Sequence, residues 1–401
     1  MPADISCGPK YAVRPPPIGV HGPSRRATSP QGGARRTGLA AWRGRGALVL
    51  IALVLGVQLE ADAQGSRSNK DVYESACAAC HGSDGSGTPA ALSSYPVVPP
   101  DFADCSFASR EPDADWLAVA HGGGPVRGFS RLMPAFGEAL TDADLGQALA
   151  HIRTFCTDDA WPRGELNLPR ALVTEKAYPE DEAVLTIVAS DGAVTNEFLY
   201  ERRFGARNQI ELVVPLQVSD RGNGDWTGGV GDVAFAFKRA IVHGLDRGRI
   251  FSAAAELVLP TGSTERGIGG GTAIFEPFVA FGQILPADGF LQVQAGLEIP
   301  FDRDHSDELF WRAALGRSFT EGIYGRTWSP MVEVLGVRDL ESGAAVHWDL
   351  VPQMQVTLNT RQHIMLNAGV RVPVNDRTGR STQFMVYLLW DWFDGGLRDG
   401  W

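Results

Sequence analysis

Cys77 and Cys80 are separated by two alanines and followed at once by His81, in the run Cys77-Ala-Ala-Cys80-His81. Two thiols at that spacing share one helical turn, so each can form a thioether to a vinyl group of a haem. The adjacent imidazole then reaches the iron, which is the chemistry of the C-x-x-C-H pattern. A zinc site would need a second Cys or His pair at suitable spacing. A redox dithiol leaves His81 without a task.

Iron held this way takes a further ligand on the opposite haem face, a thioether or a second imidazole. Met133 lies in Arg131-Leu-Met133-Pro134-Ala-Phe136 and is the only methionine between Met1 and Met331. Pro134 fixes the backbone beside it. Methionine is more often core filling, and His121 and His151 compete for the role. His151 falls inside a helical stretch with apolar neighbours, which points to packing, while His121 ends a short helix before three glycines.

Three helices must position these groups. One is expected from about Asn69 to Ala79, with Tyr73 and Ala76 on one face, and a second from Asp113 to Ala120. The third starts at Thr141, whose hydroxyl can cap the first turn while Asp144 complements the exposed amides. Leu145, Leu149, Ile152 and Phe155 continue it as an apolar stripe. Crossing of the first helix over the last would enclose a haem whose own apolar bulk supplies much of the core.

On these residues, the stretch 69–158 resembles the class I cytochrome c family of small helical electron carriers. Cys77, Cys80 and His81 match its attachment motif, Met133 its Met-Pro ligand loop, and Tyr73 with Phe155 its crossing of terminal helices. Gly82 and Gly85 also match. The resemblance implies one covalently attached haem c, with His81 and Met133 as metal ligands. Cys105 and Cys156 are additional to the family pattern. In an oxidising compartment this remaining pair points to a disulfide tying the 101–107 loop to the end of the last helix; two free buried thiols are the alternative.

The leader sets the compartment. Arg35, Arg36, Arg43 and Arg45 precede an apolar stretch from Ala47 to Val57, and Ala61-Asp62-Ala63 follows. Residues 1–63 thus read as a leader of disordered character ending in a secretory signal peptide cut after Ala63. The apolar stretch falls short of the roughly 20 residues of a membrane span; an uncleaved inner-membrane anchor is the alternative. Cys7 lies in the leader and has no expected role.

From Asn167 onward the periodicity changes from helical to alternating. Leu291, Val293, Ala295, Leu297 and Ile299 alternate with Gln292, Gln294, Gly296, Glu298 and Pro300. Ile210 to Val218 and Ile364 to Val372 repeat the pattern, and further strands are expected at 232–242, 250–260, 272–283, 307–319, 328–338, 346–359 and 382–393. A soluble barrel or sandwich would bury the apolar face; a transmembrane barrel would turn it to lipid. Many strands reach the 9–11 residues that cross a bilayer at a tilt. Glu211, Lys238, Glu256, Glu276, Glu298, Arg312 and Arg371 fall mid-strand on the inner face, where a protein core would tolerate them poorly. Trp328, Trp390, Trp392 and Phe393 sit near strand ends, as interface girdles do.

This region resembles transporter-like outer-membrane barrels loosely associated with aromatic-compound degradation. Gly228-Gly-Val-Gly231-Asp232-Val233, opening a strand, and Leu259-Pro-Thr-Gly262, closing one, carry the likeness. Trp401 is terminal but follows the loop-like stretch 394–400, so the last strand is expected to close with Trp392 or Phe393.

A chain of 401 residues accommodates two or three folded units. The expected fold is multidomain: an all-α cytochrome c domain at 69–158, a linker at 159–169, and an antiparallel transmembrane β-barrel of about ten to twelve strands over 170–401. The formal charge is −11, and the first 63 residues hold eight Lys and Arg against three Asp and Glu, leaving −16 on the remainder. That excludes nucleic acid as a partner and suits a basic redox protein. The expected activity is electron transfer by a haem domain in the periplasm, tethered to a barrel in the outer-membrane bilayer. Alternatives are a channel or transporter that passes a small solute and carries an accessory haem domain, and a haem-dependent oxidoreductase. The latter lacks a second C-x-x-C-H, a nucleotide fingerprint or a His cluster in the barrel. A soluble periplasmic protein is the alternative location.

Overall fold

The structure is a computed structural model describing residues 67–89, 96–220, 224–393 and 395–401. The leader and signal peptide expected at 1–63, with Cys7, lie outside the described residues. Residues from Arg67 to Trp401 belong to one compact unit.

Five short helices form the first part: α1 (Asn69–Ala76), α2 (Ala78–His81), α3 (Cys105–Ala108), α4 (Asp113–Gly122) and α5 (Asp142–Ile152). Ser68 and Thr141 each close a capping box on the third residue of the helix that follows, Asp71 and Asp144. The first helix is shorter than the expected 69–79. It breaks at Cys77, whose amide still bonds the Tyr73 carbonyl, and a separate turn carries Cys80 and His81. The crossing of α1 and α5 is sealed by Tyr73 against Phe155, ring centres 5.2 Å apart, with His151 at 5.1 Å from Tyr73.

Fourteen antiparallel strands follow. They are β1 (Glu182–Ser190), β2 (Ala193–Phe204), β3 (Asn208–Asp220), β4 (Trp226–Val230), β5 (Val233–Gly244), β6 (Arg249–Leu259) and β7 (Ile274–Leu285). Then come β8 (Gly289–Pro300), β9 (Glu308–Arg317), β10 (Phe319–Thr320), β11 (Thr327–Asp339), β12 (His347–Thr357), β13 (Ile364–Pro373) and β14 (Gln383–Asp391). Strand β14 pairs with β1, and β9 pairs with β11, so the ring closes with β4 and β10 lying off it. That leaves twelve strands in the wall. Of these, β1 and β2 lie outside the strands expected from alternation, and the last strand ends at Asp391, just before Trp392 and Phe393.

The wall is inverted relative to a soluble sheet. On β3, Glu211, Gln217 and Ser219 are buried on the inner face, while Ile210, Leu216 and Val218 are exposed on the outer one. Lys238, Glu256, Glu276 and Arg312 are likewise buried inside. Outward aromatics gather toward the two rims: Tyr200 stacks on Trp392 at 5.7 Å near one, and Trp311 meets Trp348 at 5.4 Å near the other.

The structure departs from the expected linker at 159–169 and from a wall beginning at 170. Residues 164–181 enter the lumen as a plug, irregular after a single 3-10 turn at Gly164–Leu166, and the wall starts only at Glu182. A buried irregular segment leaves backbone groups that no ladder satisfies, and here the inner wall satisfies them. Gln353 accepts the Leu172 amide (2.9 Å), Gln294 the Glu175 amide (3.0 Å), and Glu333 the amides of Val173 (3.1 Å) and Thr174 (2.6 Å). Tyr387 donates its hydroxyl to the Arg170 carbonyl at 2.6 Å, and Gln292 donates to Pro169 at 2.8 Å. Both ends of the plug lie at one mouth. The Gly164 amide donates to Ser109, and Asp181 pairs with Arg110 on the next residue of the helical domain.

Candidate functional site

The three motif residues are set by the break after α1. Cys77 caps the short turn α2, and Cys80 and His81 lie on it. The loop that follows folds back over this turn: the Gly87 amide donates to the His81 carbonyl (2.9 Å), and the Thr88 amide to Cys80 (2.9 Å). The Tyr73 hydroxyl donates to the Gly82 carbonyl at 2.6 Å. Gly85 has φ +77 and faces the Phe155 ring, where an added Cβ would come within 2.5 Å, so only glycine fits there.

His81 lies nearly parallel to Phe102, ring centres 4.7 Å apart with 17° between planes. Phe102 meets Trp116 at 5.1 Å, and the Arg153 guanidinium covers Trp116 at 4.1 Å. Arg153 is fixed in turn by Asp113 at 2.8 Å. Burial pushes the His81 pKa down, which keeps the imidazole neutral, the form that ligates a metal. Burial, and then the neighbouring Cys80, push the Cys77 thiol up to about 11.

Met133 lies on a loop zipped to the end of α4. The Gly124 amide donates to the Met133 carbonyl (3.0 Å), Phe136 to Ala120 (3.0 Å) and Gly137 to His121 (3.0 Å). Gly123 adopts φ +83 where a Cβ would crowd that carbonyl at 3.1 Å, which permits the close approach. Among the described residues, no hydrogen bond joins Met133 to Cys77, Cys80 or His81. The competing histidines are engaged elsewhere: His151 in the Tyr73–Phe155 seam, and His121 beside Tyr324, ring centres 5.5 Å apart.

The donor set fits a haem c. Cys77 and Cys80 are not bonded to each other, whereas Cys105 and Cys156 form a disulfide with Cα atoms 5.1 Å apart. The Nδ1 atom of His81 is buried without a partner, and the ring sits against apolar Phe102. Phe102, Trp116 and Arg153 were not foreseen, because their link to His81 is a contact across the fold with no local motif.

The helical domain sits over the mouth where the plug enters. Arg127 donates to the Tyr324 carbonyl (2.9 Å), Arg361 to Gly128 (3.0 Å), and His363 lies 2.9 Å from Glu111. Three strand-linking turns on this side are short, at 205–207, 245–248 and 286–288, while those at 318–326 and 358–363 reach up to the helical domain. Most on the far side are longer, at 221–232, 260–273, 301–307 and 374–382.

Residues 66–152 match the family model described as cytochrome C oxidase, cbb3-type, subunit III. A search of curated proteins found no match. Among solved structures the chain is similar to the KdgM porin, with 8% identity over 52% of this chain and 98% of that one, TM-score 0.35. The NanC porin is similar at 9% identity over 52% and 98%, TM-score 0.38. The beta domain of the Bordetella autotransporter BrkA is similar at 15% identity over 52% and 98%, TM-score 0.36. Likenesses of that size carry nothing further, and the barrel rests on its own strand pairing.

Proposed function

From a cytochrome c domain joined to a closed twelve-strand barrel, we propose an exported electron carrier moored in the outer membrane, its single haem on the periplasmic side. Carrying the reading is the motif turn Cys77–His81, which lies in a domain matched as cytochrome c and holds the imidazole neutral with its Nδ1 atom buried. Haem c attached there supplies one-electron iron chemistry. Cys77 and Cys80 would hold it covalently, and His81 and Met133 would ligate its iron. A thioether ligand favours the reduced metal and raises the potential. With His81 and Met133 both engaged, the chain would exchange electrons by contact with a partner protein rather than by binding a substrate at the metal.

The outward apolar belt and the two aromatic rims support a bilayer around the wall. The three short turns 205–207, 245–248 and 286–288 beside the helical domain, against the long loops 221–232 and 260–273 opposite, support a periplasmic haem domain, since outer-membrane barrels keep short turns on that side. The filled lumen weighs against free passage of a solute. The test is a haem-stained gel of separated inner and outer membranes, run unheated and boiled. Haem stain in the outer membrane, at a mobility that changes on boiling, is the expected result. Stain confined to the soluble periplasm would overturn the membrane assignment.

A further inference from the structure

The plug carries two cations into a wall of carboxylates. The Arg170 guanidinium lies 2.6 Å from Glu182 and 3.1 Å from Glu201. Lys176 lies 3.2 Å from the second oxygen of Glu182, and the plug adds carboxylates of its own, Glu180 against Lys176 and Glu175 at 3.3 Å from Arg170. Glu182 and Glu201 project from β1 and β2, and Glu211 of β3 stands directly opposite Glu201 in register. The row is therefore three adjacent inner-wall carboxylates, and Lys238, 3.4 Å from Glu211, is the wall cation paired with it. Among the described residues, the cations that pair with Glu182 and Glu201 arrive on the plug.

Around those ion pairs the wall offers the amides of Gln209, Gln292, Gln294, Gln353 and Asn367, which bond the plug's backbone as they would a polar guest. The plug can leave without threading, because Gly164 and Asp181 are both anchored at one mouth to neighbouring residues, Ser109 and Arg110. It is in effect a tethered guest.

We propose that Arg170 and Lys176 occupy a cation-binding site of the inner wall, built on Glu182 and Glu201. When the plug withdraws, this site takes a small solute bearing a guanidinium or primary amine. The proposal rests on the membrane reading above. It adds that the lumen selects cations, and that the closed state is held by a built-in mimic of its ligand.

The test uses the full chain with residues 166–179 replaced by a short Gly-Ser bridge, reconstituted in planar bilayers under a KCl gradient. The excised barrel should conduct where the intact one stays closed, with a reversal potential shifted toward that of potassium. Arginine amide should block the current, and the block should be lost when Glu182→Gln and Glu201→Gln are added. A barrel that keeps its boiling-dependent gel mobility yet prefers chloride, or ignores arginine amide, would overturn the proposal. Absence of that mobility change in the intact chain would instead count against the membrane reading.

Should the excised chain fail to fold, Arg170→Met with Lys176→Met keeps the plug's length while withdrawing both charges. Arginine amide should then raise the temperature at which the folded band converts in that variant and not in the intact protein. No rise in the variant would equally overturn the site.

Discussion

The Asp232 carboxylate accepts the backbone amide of Gly262 at 2.9 Å, joining the segments that open β5 and close β6. Its other oxygen takes the Gly270 amide at 2.6 Å, and the hydroxyl of Thr261 bridges Val233 and Gly231 beside it. The two short motifs quoted for the barrel's likeness to transporter-like proteins are thus halves of one loop clamp. Gly262 and Gly269 permit it, since a Cβ on either would lie within 3 Å of the other's Cα.

Asp232→Ala should therefore loosen the far-side loops without unseating the helical domain. Two amides lose a charged acceptor, each at a cost of about 1–3 kcal/mol. The readout is the temperature at which the folded gel band converts to the boiled one, which should fall for Asp232→Ala and less for Asp232→Asn. An unchanged temperature would show that water replaces the carboxylate.

Met133 is tested by separating attachment from ligation. Met133→Ala should retain haem stain, because Cys77 and Cys80 are intact, while lowering the midpoint potential and admitting carbon monoxide or imidazole to the iron. His121→Ala and His151→Ala should leave both properties alone. His151→Ala should instead lower stability, since its ring lies 5.0 Å from Phe155 in the α1–α5 seam. If His121→Ala opened the iron and Met133→Ala did not, the ligand assignment would be reversed.

What was legible from sequence depended on range. The motif turn, the Thr141 cap and the alternation of β3, β8 and β13 are local patterns, and local patterns are readable. The break at Cys77 is a single backbone departure inside a helical sequence, which periodicity does not register. The plug was invisible for a different reason. Pro169, Arg170, Leu172, Val173 and Lys176 read as a linker or a first strand, and nothing nearby says that Gln353 and Glu333 will accept the amides of Leu172 and Val173 from 181 and 160 residues away. Inner-face charges at Lys238 and Arg312 were legible as a lumen, but not as a filled one.

The Cys105–Cys156 bond closes a span of 51 residues and ties α3 to the end of α5, the base from which the chain leaves for the plug. Cys105→Ala with Cys156→Ala should cost the helical domain about 2–4 kcal/mol through the freed unfolded chain. Urea unfolding of the detergent-solubilised protein, followed by haem absorbance, should show a lower midpoint. An unchanged midpoint would mean that the α1–α5 seam and the barrel contacts alone set the domain's stability.

Val332 gives the sharpest separation of a lipid-facing wall from a water-facing one. It lies in the middle of β11, points outward and is 40% exposed, between Leu315 of β9 and Pro352 of β12. On a soluble barrel, Val332→Arg would replace a surface residue and change stability by about 0.5 kcal/mol or less. At the midplane of a bilayer the same change costs about 2–4 kcal/mol, because the guanidinium must be drawn into hydrocarbon. Ile323 is the control: it is 74% exposed in the turn beside the helical domain, where an arginine meets water in either case. The fraction of protein in the outer membrane with boiling-dependent mobility should fall for Val332→Arg and hold for Ile323→Arg. Equal behaviour of the two variants would mean that the apolar belt does not face lipid, and the haem domain's mooring would have to be sought elsewhere.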